Sequence, residues 1–220
     1  MECVIYKTKY LYYDTQSVLI ASLTIYRINK DEGFTEMEKV RFEGKFLSVT
    51  TETRQTPKGT ACFERVYVRG GVTVIVITSE GTLRFIRERL WTTQQVVTKM
   101  VTGFIEDNEK SLTAAKRELQ EELGLTADVW QEYLCSNVQG SINRVRHYFI
   151  VRGLHQGEAT PEDMEHIEGY VDLTPESVRR LALDGSFGTS ESAYVLLRLA
   201  EELSKQGSPT LSTPPSKLSS

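Results

Sequence analysis

The stretch GFIEDNEKSLTAAKRELQEELGL, residues 103–125, constrains this chain more than any other. Leu112, Ala115, Leu119 and Leu123 recur at three- and four-residue steps, which predicts an amphipathic helix over 111–123. Ser111 stands where an N-cap is expected. Gly124 stands where a left-handed C-terminal residue is expected, with Leu125 folding back as its apolar contact. The same spacing puts Glu118, Glu121 and Glu122 on one side of the helix. Like charges so placed cost an isolated helix roughly 0.2–0.5 kcal/mol per pair. One reading is a solvated acidic face relieved by Lys116 and Arg117; the other is a bound cation. Several carboxylates with no His or Cys nearby suit a hard divalent ion, Mg²⁺ or Mn²⁺.

The rest of the chain frames that helix. With 220 residues there is room for one sizeable domain and an appendage. A net charge of −4 advertises neither a nucleic-acid partner nor an anionic membrane. The longest apolar run, VTVIVI at 72–77, is strand-sized, and MECVIYKTKY has no signal-peptide core, so a cytoplasmic protein is expected. Cys3, Cys62 and Cys135 are odd in number and scattered, which argues against a disulfide framework or a zinc knuckle. His147, His155 and His166 are too spread for a metal triad. Residues 17–28 and 45–55 have strand-forming types, VTVIVITSEGTLRFIRE reads as a hairpin around Gly81, and 143–154 as a further strand. A helix is predicted from Thr174-Pro175 to near Gly185, and another over 190–204 with Tyr194, Leu197 and Ala200 inward. The expected organisation is a β-rich subdomain over 1–60, a main domain over 61–203 and a disordered Ser/Pro-rich tail over 204–220.

Gly103, Glu109, then Arg117-Glu118-Leu119-Gln120-Glu121-Glu122-Leu123-Gly124-Leu125 fill every defining position of the Nudix box, and the chain resembles that superfamily. The resemblance favours the cation reading. It implies an α/β fold, the Nudix α/β/α sandwich with a mixed β-sheet, preceded here by the small β-rich subdomain. It also implies that Glu118 and Glu122 are the main metal ligands and that Glu121 is a shared or water-mediated third. The carbonyl of Thr102 or Gly103 is expected to approach the metal, with Gly103 providing a tight loop turn. Arg117 and Glu109 would orient the ligand carboxylates, and Leu119 and Leu123 would anchor the helix.

Beyond the box, FERVYVRGGVTVIVI, LRFIRERL and EDMEHIEGYVDLTPESVRRLALDGSFGTSESAYVLLRLA look like the ADP-ribose pyrophosphatase group. That likeness implies hydrolysis of a nucleoside diphosphate linked to another group, X, into a nucleoside monophosphate and phospho-X. It implies a homodimer built by the N-terminal subdomain. It also matches Glu165 to a metal-binding loop acid and Asp163, or alternatively Glu162, to the catalytic base. The pattern departs where substrate is recognised. Lys99-Met100-Val101-Thr102 stands where the group has an acidic residue and a proline, and a proline expected beyond the box is absent. The second arginine of the group's Arg-x-x-Arg falls on Leu90, leaving Arg87 and Arg89 as substrate-binding candidates, with Arg144 and Arg146 as further phosphate contacts. The alternatives are a Nudix enzyme acting on a nucleoside triphosphate, an RNA 5′ end or another organic diphosphate, and a non-catalytic nucleotide sensor. Trp91 and Trp130 are expected in core or interface packing, with Trp91 next to a nucleobase as the other possibility.

Overall fold

The computed structural model describes the backbone of residues 4–8, 23–28, 35–160, 165–187 and 189–206, and within these the side chains from 38 to 205. The chain divides into two compact units, residues 1–69 with 137–145, and residues 70–136 with 146–220.

The first unit is an antiparallel sheet of β1 (Val4–Thr8), β2 (Leu23–Ile28), β3 (Thr35–Glu43), β4 (Leu47–Thr56) and β5 (Gly59–Val68), paired in chain order. The tight β4–β5 hairpin closes at Thr56↔Gly59 around Pro57-Lys58. Ile142 and Asn143 add parallel pairing with Val66 and Tyr67 at its other edge. Residues 17–22 of the predicted early strand lie outside the described residues.

The second unit holds β6 (Gly71–Ile77), β7 (Leu83–Arg89), β8 (Val96–Lys99), β9 (Val101–Phe104), α1 (Ser111–Leu123), β10 (Leu125–Val138) and β11 (Ile142–Gln156), whose first residues belong to the other unit. It continues with β12 (Ile167–Leu173), α2 (Pro175–Leu183) and α3 (Ser190–Gln206). The sheet is mixed: β6 runs parallel to β11 and antiparallel to β7 and β9, while β7 pairs antiparallel with β8 and β12.

Alternation along the strands sorts the core into two layers. Ile75, Ile77, Leu83, Phe85, Tyr148 and Ile150 pack against Val178 and Ala182 of α2 and Val195, Leu196 and Leu199 of α3. Val72, Val74, Val76, Ile86, Phe149 and Val151 pack against Ala114, Ala115, Leu119 and Leu123 of α1. Every residue of β6 is buried, as befits a strand covered by helices on both faces. This is the α/β/α arrangement the sequence led us to expect.

Three local expectations are corrected. Ser111 opens α1 as its first helical residue; Lys110 is the N-cap and makes no side-chain capping bond. Leu112 and Tyr194 are exposed: Leu112 sits in the first turn of α1, and Tyr194 points away from the buried stripe that Val195, Leu196, Leu199 and Ala200 form on α3. Trp91 lies outside the core: it is exposed, with its ring 6.0 Å from that of His166.

Candidate active site

Helix α1 buries a face that is part apolar and part acidic: Ala114, Ala115, Glu118, Leu119, Glu122 and Leu123. Its C-terminus is held in two ways. Gly124 adopts a left-handed conformation, φ 63°, and its N–H donates to the carbonyl of Gln120 at 2.9 Å. The loop after β11 then docks on this end. The Thr160 N–H donates to the Glu121 carbonyl at 3.0 Å, and the Gln120 side-chain amide donates to the Glu158 carbonyl at 2.8 Å. One carboxylate oxygen each from Glu118, Glu122 and Glu165 lie within 4.8 Å of one another.

Gly103 serves this group through its missing side chain. It lies in β9 opposite Val72, not in a tight turn, which corrects the role expected for it. A β-carbon there would fall 1.7 Å from Glu118 Oε1, so the carboxylate occupies the volume that glycine leaves free. Thr102, its neighbour in β9, pairs with Thr73.

Arg117 braces the site. Its Nε and Nη2 donate to the two oxygens of Glu109 at 3.1 and 3.0 Å, and Nη2 also donates to the Phe104 carbonyl at 3.0 Å. Its Nη1 donates to Glu118 Oε1 at 2.8 Å and to Glu121 Oε2 at 3.0 Å. The Glu109 hydrogen bonds, with help from Glu118 and Glu121, outweigh burial and hold the Arg117 pKa above the ordinary arginine value. Glu121 thus shares a guanidinium nitrogen with Glu118, while the three converging oxygens come from Glu118, Glu122 and Glu165.

The electrostatics are those of a cluster short of positive charge. Burial pushes the Glu118 carboxyl up to about 7 against the pull of Arg117, with Glu121 and Glu165 adding to the rise. Burial raises Glu122 well above the usual carboxylate range, although Lys99 pulls the other way. Both oxygens of Glu122 are buried and make no hydrogen bond. An unsatisfied buried acid of this kind is costly unless something charged completes it.

Two contributors were not singled out from the sequence. Lys99 Nζ lies 2.5 Å from Glu88 Oε2 and 3.8 Å from Glu122 Oε1. Lys99 sits opposite Ile86 in the β7–β8 register, which turns it to the α1 face, and Glu88 follows Ile86 by two residues onto that face. Burial works against the lysine charge, yet Glu122, Glu88 and Glu165 outweigh it and keep its pKa above the ordinary value. The available signal was the lysine standing where an acid was expected.

The remaining candidates are placed as follows. Arg89 forks onto Glu168 Oε1 at 2.7 and 2.5 Å and also donates to the Gln94 carbonyl, so each of its three nitrogens makes a bond within the protein. Arg87 is exposed on β7, opposite Thr98 and Gly169. Arg146 donates to the Val72 carbonyl and to Thr73 Oγ1. Asp163 and Glu162 lie outside the described residues. The thiol of Cys135, a nitrogen of His147 and an oxygen of Glu132 come within 4.8 Å of one another on β10 and β11, which the spread of these residues in sequence did not suggest. His147 Nδ1 and Glu132 Oε1 are 2.6 Å apart there.

A model of the NUDIX domain matches residues 68–192. The chain belongs to the Nudix family. Nudix chemistry is hydrolysis of pyrophosphate bonds, and this chain is a hydrolase of that class. It is similar to the ADP-ribose pyrophosphatase of Bacillus subtilis (strain 168), 25% identical over 170 residues that cover 75% of this chain and 92% of that protein. It is also similar to the methanol dehydrogenase activator of Bacillus methanolicus, 26% identical over 137 residues, covering 60% of this chain and 74% of that one. A solved structure of an ADP compounds hydrolase shares the Nudix fold, with a TM-score of 0.65 at 22% identity, over 77% of this chain and 93% of its own.

The Nudix residues brought together here suit a divalent cation. The donor set is all oxygen, the buried oxygens of Glu122 lack hydrogen-bond partners, and Gly103 leaves the Glu118 carboxylate its room.

Proposed function

We propose that this Nudix protein is a divalent-metal-dependent hydrolase of a nucleoside diphosphate derivative, ADP-ribose-like or a nucleotide sugar, releasing a nucleoside monophosphate and phospho-X. The observation that carries the reading is the convergence of Glu118, Glu122 and Glu165, three residues from two elements far apart in sequence. The similarity to an ADP-ribose pyrophosphatase over most of both chains supports the substrate class.

Glu118, Glu122 and Glu165 would hold Mg²⁺ or Mn²⁺ together with a backbone carbonyl. Thr102 is the better carbonyl candidate, since the Gly103 oxygen lies toward Gly71 on β6 and carbonyl directions alternate along a strand. Such an ion supplies charge neutralisation at a diphosphate and a more acidic bound water. The residues do the positioning. Arg117 fixes Glu118 and Glu121 relative to each other through one nitrogen. The apolar anchors Leu119 and Leu123 keep the carboxylates from drifting. Asp163 or Glu162 would take the proton from the attacking water, and Glu121 is the alternative acceptor on the helix.

Arg89 is bonded to Glu168, so exposed Arg87 is the less engaged arginine of the pair, and the other organic diphosphates stay in play. A non-catalytic sensor is the third reading, disfavoured by the complete set of box glutamates. We further propose a cytoplasmic homodimer formed through the N-terminal unit, which exposes Phe42, Phe46, Phe63 and Tyr67. Among the described residues, no helix is long and apolar enough to cross a membrane.

The test is a screen of nucleoside diphosphate sugars, dinucleotides and nucleoside triphosphates with Mg²⁺ and Mn²⁺, with products identified by mass. The expected result is a nucleoside monophosphate plus phospho-X, lost on chelation. Release of pyrophosphate from a triphosphate would favour the alternative. Nucleotide binding without turnover at high metal would favour the sensor. Chain mass by light scattering tests the dimer.

A further inference from the structure

The carboxylate cluster has two cations of its own, and they serve different ends. Arg117 is bound to Glu109, Glu118 and Glu121. Lys99 reaches the other end, where Glu88 and Glu122 lie. There the side chain of Glu122 has no exposed surface, and neither of its oxygens makes a hydrogen bond. The Lys99 ammonium, held by a different acid, lies 3.8 Å from Glu122 Oε1. That distance is too long for a hydrogen bond and well within reach of strong electrostatic attraction at a poorly solvated site. The Lys99 side chain comes from a strand and its ammonium is tied at 2.5 Å to a nearly buried glutamate on the neighbouring strand. Its charge is thus fixed in place rather than swinging in solvent.

We propose that Lys99 is a positioning residue that acts as a resident monovalent cation of the metal cradle: it neutralises the Glu88–Glu122 end and limits how much divalent charge the cradle accepts. The inference rests on the metal-binding reading of Glu118, Glu122 and Glu165 above. A divalent ion bound to Glu122 must share it with an ammonium a few ångströms off, which repels the ion and competes for the same carboxylate. Glu88 moderates this competition by holding the ammonium back from Glu122.

The experiment is titration of the full chain with Mn²⁺ alone, without substrate, followed by electron paramagnetic resonance and calorimetry. Wild type is compared with Lys99→Met, Lys99→Arg, Glu88→Gln and Glu118→Gln. Removing the lysine charge should tighten Mn²⁺ binding by about tenfold or more, the repulsion between a single and a double charge about 6 Å apart even with the screening of bulk water. Lys99→Arg should keep the wild-type affinity. Glu88→Gln should weaken binding, since the freed ammonium then settles on Glu122. A merely structural Lys99–Glu88 pair would give no change of opposite sign in the two variants. Unchanged or weaker Mn²⁺ binding in Lys99→Met overturns the proposal, and if that variant does not fold, unchanged or tighter binding in Glu88→Gln does so. Glu118→Gln separates the two claims. If it abolishes Mn²⁺ binding while the Lys99 and Glu88 variants leave it unmoved, the cradle stands and the role of Lys99 falls. If it leaves Mn²⁺ binding intact, both fall.

Discussion

The two faces of the β6–β7–β11 sheet are each covered by helix, and they are filled on opposite principles. On the α2 and α3 side, Phe85, Tyr148, Ile150, Leu196 and Leu199 make a continuous apolar layer. On the α1 side, a similar layer of Val, Ile and Leu is interrupted by Glu118 and Glu122, both nearly buried. Apolar burial stabilises the first face, at roughly 25 cal/mol per Å² of apolar surface removed from water. The second gives up part of that return to hold carboxylates where water cannot shield them. One face holds the fold and the other uses that rigidity to keep an unfavourable arrangement in place.

The sharpest way to break this contrast is Glu122→Gln. Hydrolysis should fall by about a thousandfold or more, the several kcal/mol that charge neutralisation contributes to such a transition state. The melting temperature of the metal-free variant should hold or rise, because a buried charge has been removed. A variant that melts well below wild type would show that Glu122 supports the fold. On the opposite face, fully buried Leu196→Ala should cost about 2–5 kcal/mol of stability in denaturant titrations, with turnover per folded molecule retained. Loss of turnover in the folded fraction would mean that the faces are not independent.

A third measurement follows metal-free stability against pH. The Glu118 carboxyl titrates near 7 when folded, against an ordinary 4.5, and Glu122 is shifted the same way. Within that window the folded state binds more protons than the unfolded chain, so stability is greatest below 4.5 and declines as pH rises toward 7 and beyond. The melting temperature should drop by several degrees over this interval, and saturating Mg²⁺ should flatten the slope, since cations require the ionised carboxylates. A metal-free slope of the opposite sign would refute the picture of a face strained by its own charge. The smallest effect expected is from Thr174→Ala, which removes the side-chain cap on the Ser177 N–H at the start of α2 and should cost about 1 kcal/mol with no change in activity.

What the sequence disclosed follows the range of the interactions involved. The box helix was legible because its glutamate spacing, its brace Arg117 and its glycine stop all fall within one local segment. The two-layer core was legible in outline from the VTVIVI run and the apolar periods of the helices. The exposure of Leu112 and Tyr194 was not, because a helical period does not say where along the helix the covering layer ends or which residues bound the buried stripe. Glu165 is far from α1 in sequence, and no spacing reveals that its carboxylate meets those of Glu118 and Glu122. Lys99 was noticed only as a departure. Its partners come from β7 and α1, and the pairing that joins β7 to β8 had to be seen before its charge could be assigned.

The overlap between Gly103 and Glu118 has a consequence for how this protein can vary. Because the Glu118 carboxylate fills the space of a β-carbon at residue 103, the two positions form one steric unit across fifteen residues of chain. The movable member is the tip of the glutamate, so an alanine at 103 would leave the strands intact and push the carboxylate aside. A single mutational step there yields a folded chain with the Glu118 carboxylate displaced from its neighbours. Only a paired change, Gly103→Ala with Glu118→Asp, would restore the room, and the route to it crosses an intermediate that folds but works poorly.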